Sequence, residues 1–264
     1  MNTMERFSLK NKVAVITGGE SLYGKHSSYA LCEAGARLYM GCPFLDKAEA
    51  VAEEMRAQGL DVTVIYYDQG SEDSISRFVD DVMNKEGRID ILVNAARVPG
   101  GPGGWEQTEE GHQFSTKVNS LGFLLVTRLV GEIMIKQQSG VIVNFASMMG
   151  VIGVEPANYD GFPDMRAGGF GHDYFFNKSG IIAFTRQAAS YYGRYGVRIN
   201  CLSPGGVLSE RTPADFVKNY SKHTVLNRMA NDDDVKGVIV FLASEASSYI
   251  TGVNISMDGG YTSI

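Results

Sequence analysis

The sequence predicts an α/β fold: a single domain on a doubly wound parallel sheet with helices on both faces. Short β-rich apolar runs alternate with helical stretches along the chain, and the runs are near-continuous in apolar residues, as strands covered on both faces are. At 264 residues the chain has the length of one α/β domain with a single sizeable core.

The elements follow in order. KVAVIT at 12–17 is the first strand, ended by Gly18 and Gly19, and the helix over 24–34 ends at Gly35. The alternation then predicts a strand at 36–41, a helix at 45–58, a strand at 62–67, a helix at 72–86 and a strand at 89–93. A long helix over 108–137, a strand at 140–146, a helix at 173–193 and a strand at 197–202 come next. A lid spans 207–224, with its body near 210–224. A helix at 232–245, opened by Asn231 and the acidic run Asp232 to Asp234 that favours the helix dipole, leads to a last strand at 253–257. RVPGGPGGW at 97–105 follows a strand and reads as a loop at the ligand edge rather than a linker.

The net charge of −6 comes from interspersed charges, so no basic face is offered to nucleic acid or anionic lipid. The opening MNTMERFSLKNK lacks an apolar leader core, and no apolar run approaches the ~20 residues of a membrane helix, so a cytoplasmic protein is expected. Cys32, Cys42 and Cys201 lack metal or redox spacing and read as reduced thiols. His26, His112, His172 and His223 have no mutual ligand spacing, so no metal site is expected. His172, two residues before Tyr174, is either a pocket residue or a solvated helix start.

Tyr174 and Lys178 lie four residues apart in YFFNKSG, about one helical turn, so phenol and ammonium emerge on one helix face. A phenol titrates near pH ~10, and a positive charge at about 4 Å in an effective dielectric near 20 is worth roughly 4 kcal/mol toward ionising it. Ser147 ends an apolar strand upstream, and Asn119 lies in a helical stretch. Singly, each of the four has an ordinary structural role; together, in this order, they read as a proton-handling set beside a dinucleotide. TGGESLYG at 17–24 joins the first strand to the first helix, where free N–H groups and the helix dipole favour a pyrophosphate.

TGGESLYG, LVNAAR at 92–97, Asn119, Ser147, Tyr-x-x-x-Lys at 174–178, NCLSPGG at 200–206 and the closing MDGGY together resemble the short-chain dehydrogenases/reductases, over essentially the whole chain. The resemblance implies a Rossmann-like fold, a nicotinamide dinucleotide, a small alcohol or ketone substrate and a homodimer or homotetramer. It makes Tyr174 the proton donor and acceptor, Ser147 the partner of the substrate oxygen, Lys178 the holder of the nicotinamide ribose, and Asn119 the holder of a relay water. It places the cofactor along Gly18, Glu20, Ser21, Leu22, Tyr23 and Gly24, then Cys42, Asp68, Asn94, Ala95 and Ala96. Tyr174, Lys178, Pro204, Gly205, Val207 and Ser209 complete the set, with Asp68 at the adenine and Gly205, Val207 and Ser209 around the nicotinamide.

Three departures from the family pattern stand out. Leu22 replaces the middle glycine of T-G-x-x-x-G-x-G, so a side chain is expected to narrow the approach to the phosphates. Asn-Asn-Ala-Gly becomes Asn94-Ala95-Ala96-Arg97, placing a cation beside the site whose partner is cofactor phosphate, substrate carboxylate or solvent. Cys42 stands where an acid would select the adenosine ribose, and no arginine lies at Pro43 or in GGES for a 2′-phosphate; Glu20 and Asp46 oppose such a phosphate, so the reading leans to NAD(H) over NADP(H).

The long 148–173 segment reads as a substrate loop. Tyr159 and Phe162 offer ring stacking, and Glu155, Asn158, Asp160, Asp164 and Arg166 offer donors and acceptors, which suit a sugar, sugar acid or polyol; a plain solvated loop is an equal reading. Met148, Met149, Phe170 and Trp105 alternatively form an apolar wall for a bulky, steroid-like ketone. Two other classes stay open. A non-catalytic dinucleotide-binding protein is motivated by Leu22, Ala95 and Arg97. A sugar-nucleotide epimerase or dehydratase would share the Tyr-x-x-x-Lys pair but carry a further carboxy-terminal domain, and it ranks last.

Overall fold

A computed structural model describes residues 2–20, 22–98, 106–161 and 171–263. Seven strands form one parallel sheet in the order β3-β2-β1-β4-β5-β6-β7. They are β1 (Val13–Thr17), β2 (Arg37–Cys42), β3 (Val62–Tyr66), β4 (Ile91–Asn94), β5 (Gly140–Phe145), β6 (Val197–Pro204) and β7 (Asn254–Met257). The helices used below are α1 (Leu22–Glu33), α2 (Leu45–Arg56), α3 (Glu72–Glu86), α4 (Glu109–Thr116), α5 (Phe123–Gln137), α6 (His172–Tyr192), α7 (Ala214–Lys222) and α8 (Asp234–Ala243).

The predicted doubly wound sheet is present. From β1 the chain steps outward to β2 and β3, then returns to lay β4 on the other side of β1. Thr17 is therefore flanked by Gly41 and Asn94, and the reversal opens a crevice beyond the carboxyl ends of β1 and β4. Strand alternation divides β1 between two cores. Ala14 and Ile16 pack with Leu31, Met40, Met55 and Ile239 from the α1, α2 and α8 side. Val13 and Val15 pack with Phe78, Val126, Ile142 and Ala188 on the α3, α5 and α6 side. Burial on both faces explains why the strands read as unbroken apolar runs.

Boundaries shift where side chains intervene. The strand expected at 89–93 begins at Ile91, because the Ile89 N–H is held by the Gln137 side chain at 3.0 Å rather than by a neighbouring strand. The helix expected from 232 begins at Asp234, because Asn231 Oδ1 caps the N–H groups of Asp233 and Asp234 at 3.0 and 3.1 Å.

The expected long helix over 108–137 is present as one continuous helix, Glu109–Gln137, with a π-helical interior. α4 passes into a π-helical stretch, Lys117–Gly122, before α5 begins. A Cβ on Gly122 would lie 1.9 Å from the Gln69 carbonyl oxygen, so the loop after β3 abuts the helix here. Gln69 Nε2 donates to the Val118 carbonyl at 2.8 Å. A wider π turn accommodates this intrusion, and such turns occur frequently at functional sites.

Contrary to the expectation that no apolar run is long enough, the stretch Glu109–Gln137 has the length and composition to cross a membrane. Half of its most apolar window is buried, and α5 packs on α3, β4 and β5. Cys32, Cys42 and Cys201 are free and buried.

Candidate active site

The catalytic candidates converge at the carboxyl end of the sheet. Asn119, Tyr174 and Lys178 line one small pocket with Asn94, Ala96 and Phe145. Ser147 stands two residues past the end of β5, and its neighbour Met148 belongs to the side-chain cluster against which Tyr174 packs. The four residues are thus gathered from β5, the π stretch and α6.

Lys178 is buried, and its Nζ donates to the Phe145 carbonyl at 2.8 Å while lying 5.8 Å from the centre of the Tyr174 ring. Burial foremost, then the Arg97 cation, pulls its pKa down to about 7. Arg97 itself lies with its guanidinium 6.0 Å from the Tyr174 ring centre. Arg97 thus flanks the phenol from the pocket side.

Ser147 caps the 3₁₀ turn Met148–Gly150, its Oγ accepting from Met149 N at 3.1 Å, a bond that leaves the hydroxyl proton for another acceptor. Asn119 is held by its side chain: Oδ1 accepts from Val98 N at 2.9 Å, and Nδ2 donates to Val98 O and Ser115 Oγ at 3.1 Å each. Ser115 in turn donates to the buried carboxylate of Asp173, the residue before Tyr174. That link between α4 and α6 has no signature in the sequence, because its two residues are 58 positions apart. The fold also brings together His112 and His172, ring centres 4.6 Å apart, which sequence spacing left separate.

The β1–α1 turn has the conformation an anion cradle needs. Gly18 has φ +69°, and a Cβ there would lie 2.7 Å from Ala96 Cα; a Cβ on Gly24 would lie 2.0 Å from the Gly18 carbonyl oxygen. Leu22 takes the left-handed conformation a glycine would, φ +45°, with its side chain about half exposed. The altered motif therefore keeps the backbone path at the cost of local strain, of order 1–3 kcal/mol. Tyr23, the next residue, donates its hydroxyl to the Gly205 carbonyl at 3.0 Å and stacks near Phe145, clamping the glycine turn to the loop after β6. Ser21 lies outside the described residues.

The remaining cofactor candidates take varied positions along the sheet edge. Cys42 is fully buried at the end of β2. Asp68 Oδ1 accepts from Gly70 N at 2.8 Å, shaping the loop after β3. Asn94 is turned inward, donating to Thr127 Oγ1 and Asn144 Oδ1 at 2.9 Å each, so its side chain ties β4 to β5 and α5. The N–H groups of Ala95 and Ala96 both bond to Thr17, at 3.2 Å each. Pro204 is buried, Gly205 N bonds to Met257 O at 2.9 Å, and Val207 bridges to Ala230. Ser209 is exposed and engaged with Thr212 in its own turn, 2.9 Å between hydroxyls.

On the substrate side, two of the residues expected to meet a polar ligand, Asn158 and Tyr159, are turned inward. Tyr159 does not offer its face to a ligand: it is 4% exposed and packs on Phe216. Asn158 is buried and donates to Tyr261 Oη at 2.7 Å, and Glu155 caps Ala157 N at 3.1 Å. The sequence missed this because the partners, Phe216 and Tyr261, arrive from α7 and the carboxy terminus. Met148 and Met149 are buried in the same cluster, where Tyr220 Oη accepts from Gly206 N at 2.6 Å and meets Met148 Sδ at 3.3 Å. Asp160 is exposed. Phe162, Asp164, Arg166, Phe170 and Trp105 lie outside the described residues.

A reversal crevice with a glycine cradle on one side and a Tyr-Lys pair on the other defines the class: a dinucleotide-dependent oxidoreductase. Comparison with known proteins agrees. The family profile described as enoyl-(acyl carrier protein) reductase matches residues 23–262. A 7alpha-hydroxysteroid dehydrogenase of Paraclostridium sordellii is 32% identical, over 96% of this chain and 92% of that protein. The crystal structure of gox2181 superposes with TM-score 0.89 at 29% identity, covering both chains fully. A gluconate 5-dehydrogenase from Burkholderia cenocepacia, solved with NADP and tartrate, gives TM-score 0.85 at 26% identity, again over both whole chains. The chain belongs to the short-chain dehydrogenase/reductase family and is an NAD(P)-dependent oxidoreductase of CH–OH and keto groups.

The residues present fit such a cofactor. A Cβ at Gly18 or Gly24 would strike the backbone of Ala96 or Gly18, so the turn carries no side chain at either position, and Glu20 Oε2 is a buried carboxylate oxygen lacking any hydrogen-bond partner among the described residues.

Proposed function

We propose that this chain interconverts a secondary alcohol and its ketone on a bulky, largely apolar molecule, with NAD(H) as the preferred cofactor. The observation that carries the reaction is the placement of Tyr174 beside buried Lys178 and against the Ser147 turn, in a pocket at the end of β4 and β5. In this reading Tyr174 exchanges the proton with the substrate oxygen, and the Ser147 hydroxyl donates to that oxygen as charge develops. Lys178 holds a positive charge near the phenol and offers donors to a ribose; Asn119 anchors the segment carrying Arg97. The nicotinamide, when bound, gives or takes the hydride.

The apolar substrate body is supported by the loop after Ser147. Its polar members Glu155 and Asn158 are engaged internally, while Val151 and Val154 are exposed beside Met149 and Ile152. A second reading, a sugar acid or polyol, is favoured by one observation: Arg97 stands beside the Tyr174 ring with its guanidinium available to a carboxylate. The 148–173 segment serves as the substrate loop and 207–224 as the lid in both. A homo-oligomer is supported by apolar side chains left exposed on adjoining helices, Leu121, Leu124, Phe176 and Tyr191. We place the protein in the cytoplasm.

The test is a turnover screen of hydroxysteroids, simple secondary alcohols and sugar acids with each dinucleotide, read as absorbance of the reduced nicotinamide. Turnover of hydroxysteroids at a kcat/KM at least ~100-fold above that of any sugar acid supports the apolar reading. The reverse ranking replaces it with the sugar-acid reading. Tight dinucleotide binding with no turnover of any alcohol or ketone would favour a non-catalytic role.

A further inference from the structure

The end of β2 lacks the acid that a doubly wound dinucleotide fold uses to hold the adenosine ribose. Cys42 occupies that end, fully buried, its thiol accepting from Phe44 N at 3.2 Å. A thiol is a poor acceptor for a pair of ribose hydroxyls. A carboxylate nevertheless reaches the same place from a different element: Glu20, carried by the β1–α1 turn, hydrogen-bonds the Cys42 thiol through its side chain and raises that thiol further after burial has done so, which leaves one carboxylate oxygen over. Glu20 Oε2 is shut off from solvent and has no hydrogen-bond partner among the described residues. A buried carboxylate oxygen without a donor is costly, and folded proteins retain such an atom where an ordered water, an ion or a bound ligand satisfies it.

The other charges around this corner do not supply the missing donor. Lys47 influences the Cys42 thiol, but its ammonium lies 5.5 Å from the centre of the Phe44 ring. Lys25 pairs with Glu54 at 2.9 Å. The adenosine ribose of a dinucleotide laid along the glycine turn presents two vicinal hydroxyls, both donors, at this end of the crevice. A 2′-phosphate would bring negative charge and no donor to the same oxygen.

Resting on the dinucleotide reading above, we propose that Glu20 substitutes for the absent β2 carboxylate. It accepts the adenosine ribose hydroxyls and disfavours a 2′-phosphate, so NAD(H) selectivity resides in the glycine turn.

Equilibrium binding measured by nucleotide fluorescence, without substrate, tests this using NADH, NADPH and NADH lacking the adenosine 2′-hydroxyl. The proteins are wild type, Glu20→Ser and Glu20→Gln, each shown folded by its circular-dichroism melt. Wild type should bind NADH at least about tenfold tighter than NADPH and about tenfold tighter than the deoxy analogue. Both variants should narrow the NADH to NADPH ratio about tenfold or more and lose the penalty for the missing hydroxyl. Binding of both dinucleotides with that ratio and penalty unchanged in the variants overturns this inference alone, as does a wild-type preference for NADPH. Binding of neither dinucleotide to folded wild type overturns the dinucleotide reading itself.

Discussion

The Lys178 ammonium is buried next to the phenol that needs it, and its pKa falls from 10.5 to about 7. Between those values the unfolded chain holds the extra proton, so the stability contributed by this group rises with pH from about 7 to about 10.5, and its cost is fully present below about 7. At ~1.4 kcal/mol per unit the cost is on the order of a few kcal/mol. Lys178→Met should therefore abolish turnover while stabilising the fold by about 1–3 kcal/mol at pH 6–7, after loss of the bond to Phe145 O is counted; calorimetry should read a melting temperature roughly 2–8 °C higher. A lower melting temperature would mean the ammonium is better solvated than its burial indicates. Arg97 supplies the second cause of the depression. Arg97→Met should lift the Lys178 value and move the high-pH limb of the kcat/KM profile upward by up to about one unit. These behaviours belong to single residues. The Tyr-Lys pairing was legible because four-residue helical spacing is local, whereas Arg97 could be flagged but not aimed, since its direction depends on Asn119 holding Val98 from another element.

At the scale of elements, the π stretch at Lys117–Gly122 decides where Asn119 and the segment it anchors stand. Its apolar period continues that of α5, so the one long helix is legible in the sequence; the change to π turns is not, because it goes with the contact of Gln69, far away in the chain. Gly122→Ala would drive a methyl into the Gln69 carbonyl at 1.9 Å. We expect a loss of roughly 2–4 kcal/mol in chemical denaturation, together with impaired turnover. An unchanged midpoint would show that the loop after β3 yields. The Tyr23–Gly205 clamp is similarly nonlocal, its partners 182 residues apart. The burial of Tyr159 and Asn158 is illegible in the sequence for the same reason: their partners, Phe216 and Tyr261, come from α7 and the carboxy-terminal segment. The strands, by contrast, were readable because burial on both faces writes itself into each as a local apolar run.

Across the whole molecule, two cores on opposite faces of the sheet flank the crevice at one edge, so the candidate catalytic and cofactor residues share one rim although they come from most of the chain. The exposed apolar positions on the π stretch, α5 and α6 lie outside both cores and give the proposed homo-oligomer its testable face. Wild type should scatter light as a multiple of 28.7 kDa, and Phe176→Glu, changing a side chain 79% exposed, should shift that mass downward. A monomeric wild type would remove the oligomer from the proposal.

In the proposed reaction the Tyr174 phenol moves the proton beside a bound nicotinamide. Turnover and dinucleotide affinity of Tyr174→Phe, measured side by side on the substrate the screen identifies, test it most directly. We expect kcat reduced at least ~1,000-fold with dinucleotide affinity within about threefold of wild type. A variant that keeps more than about a tenth of the turnover would contradict it.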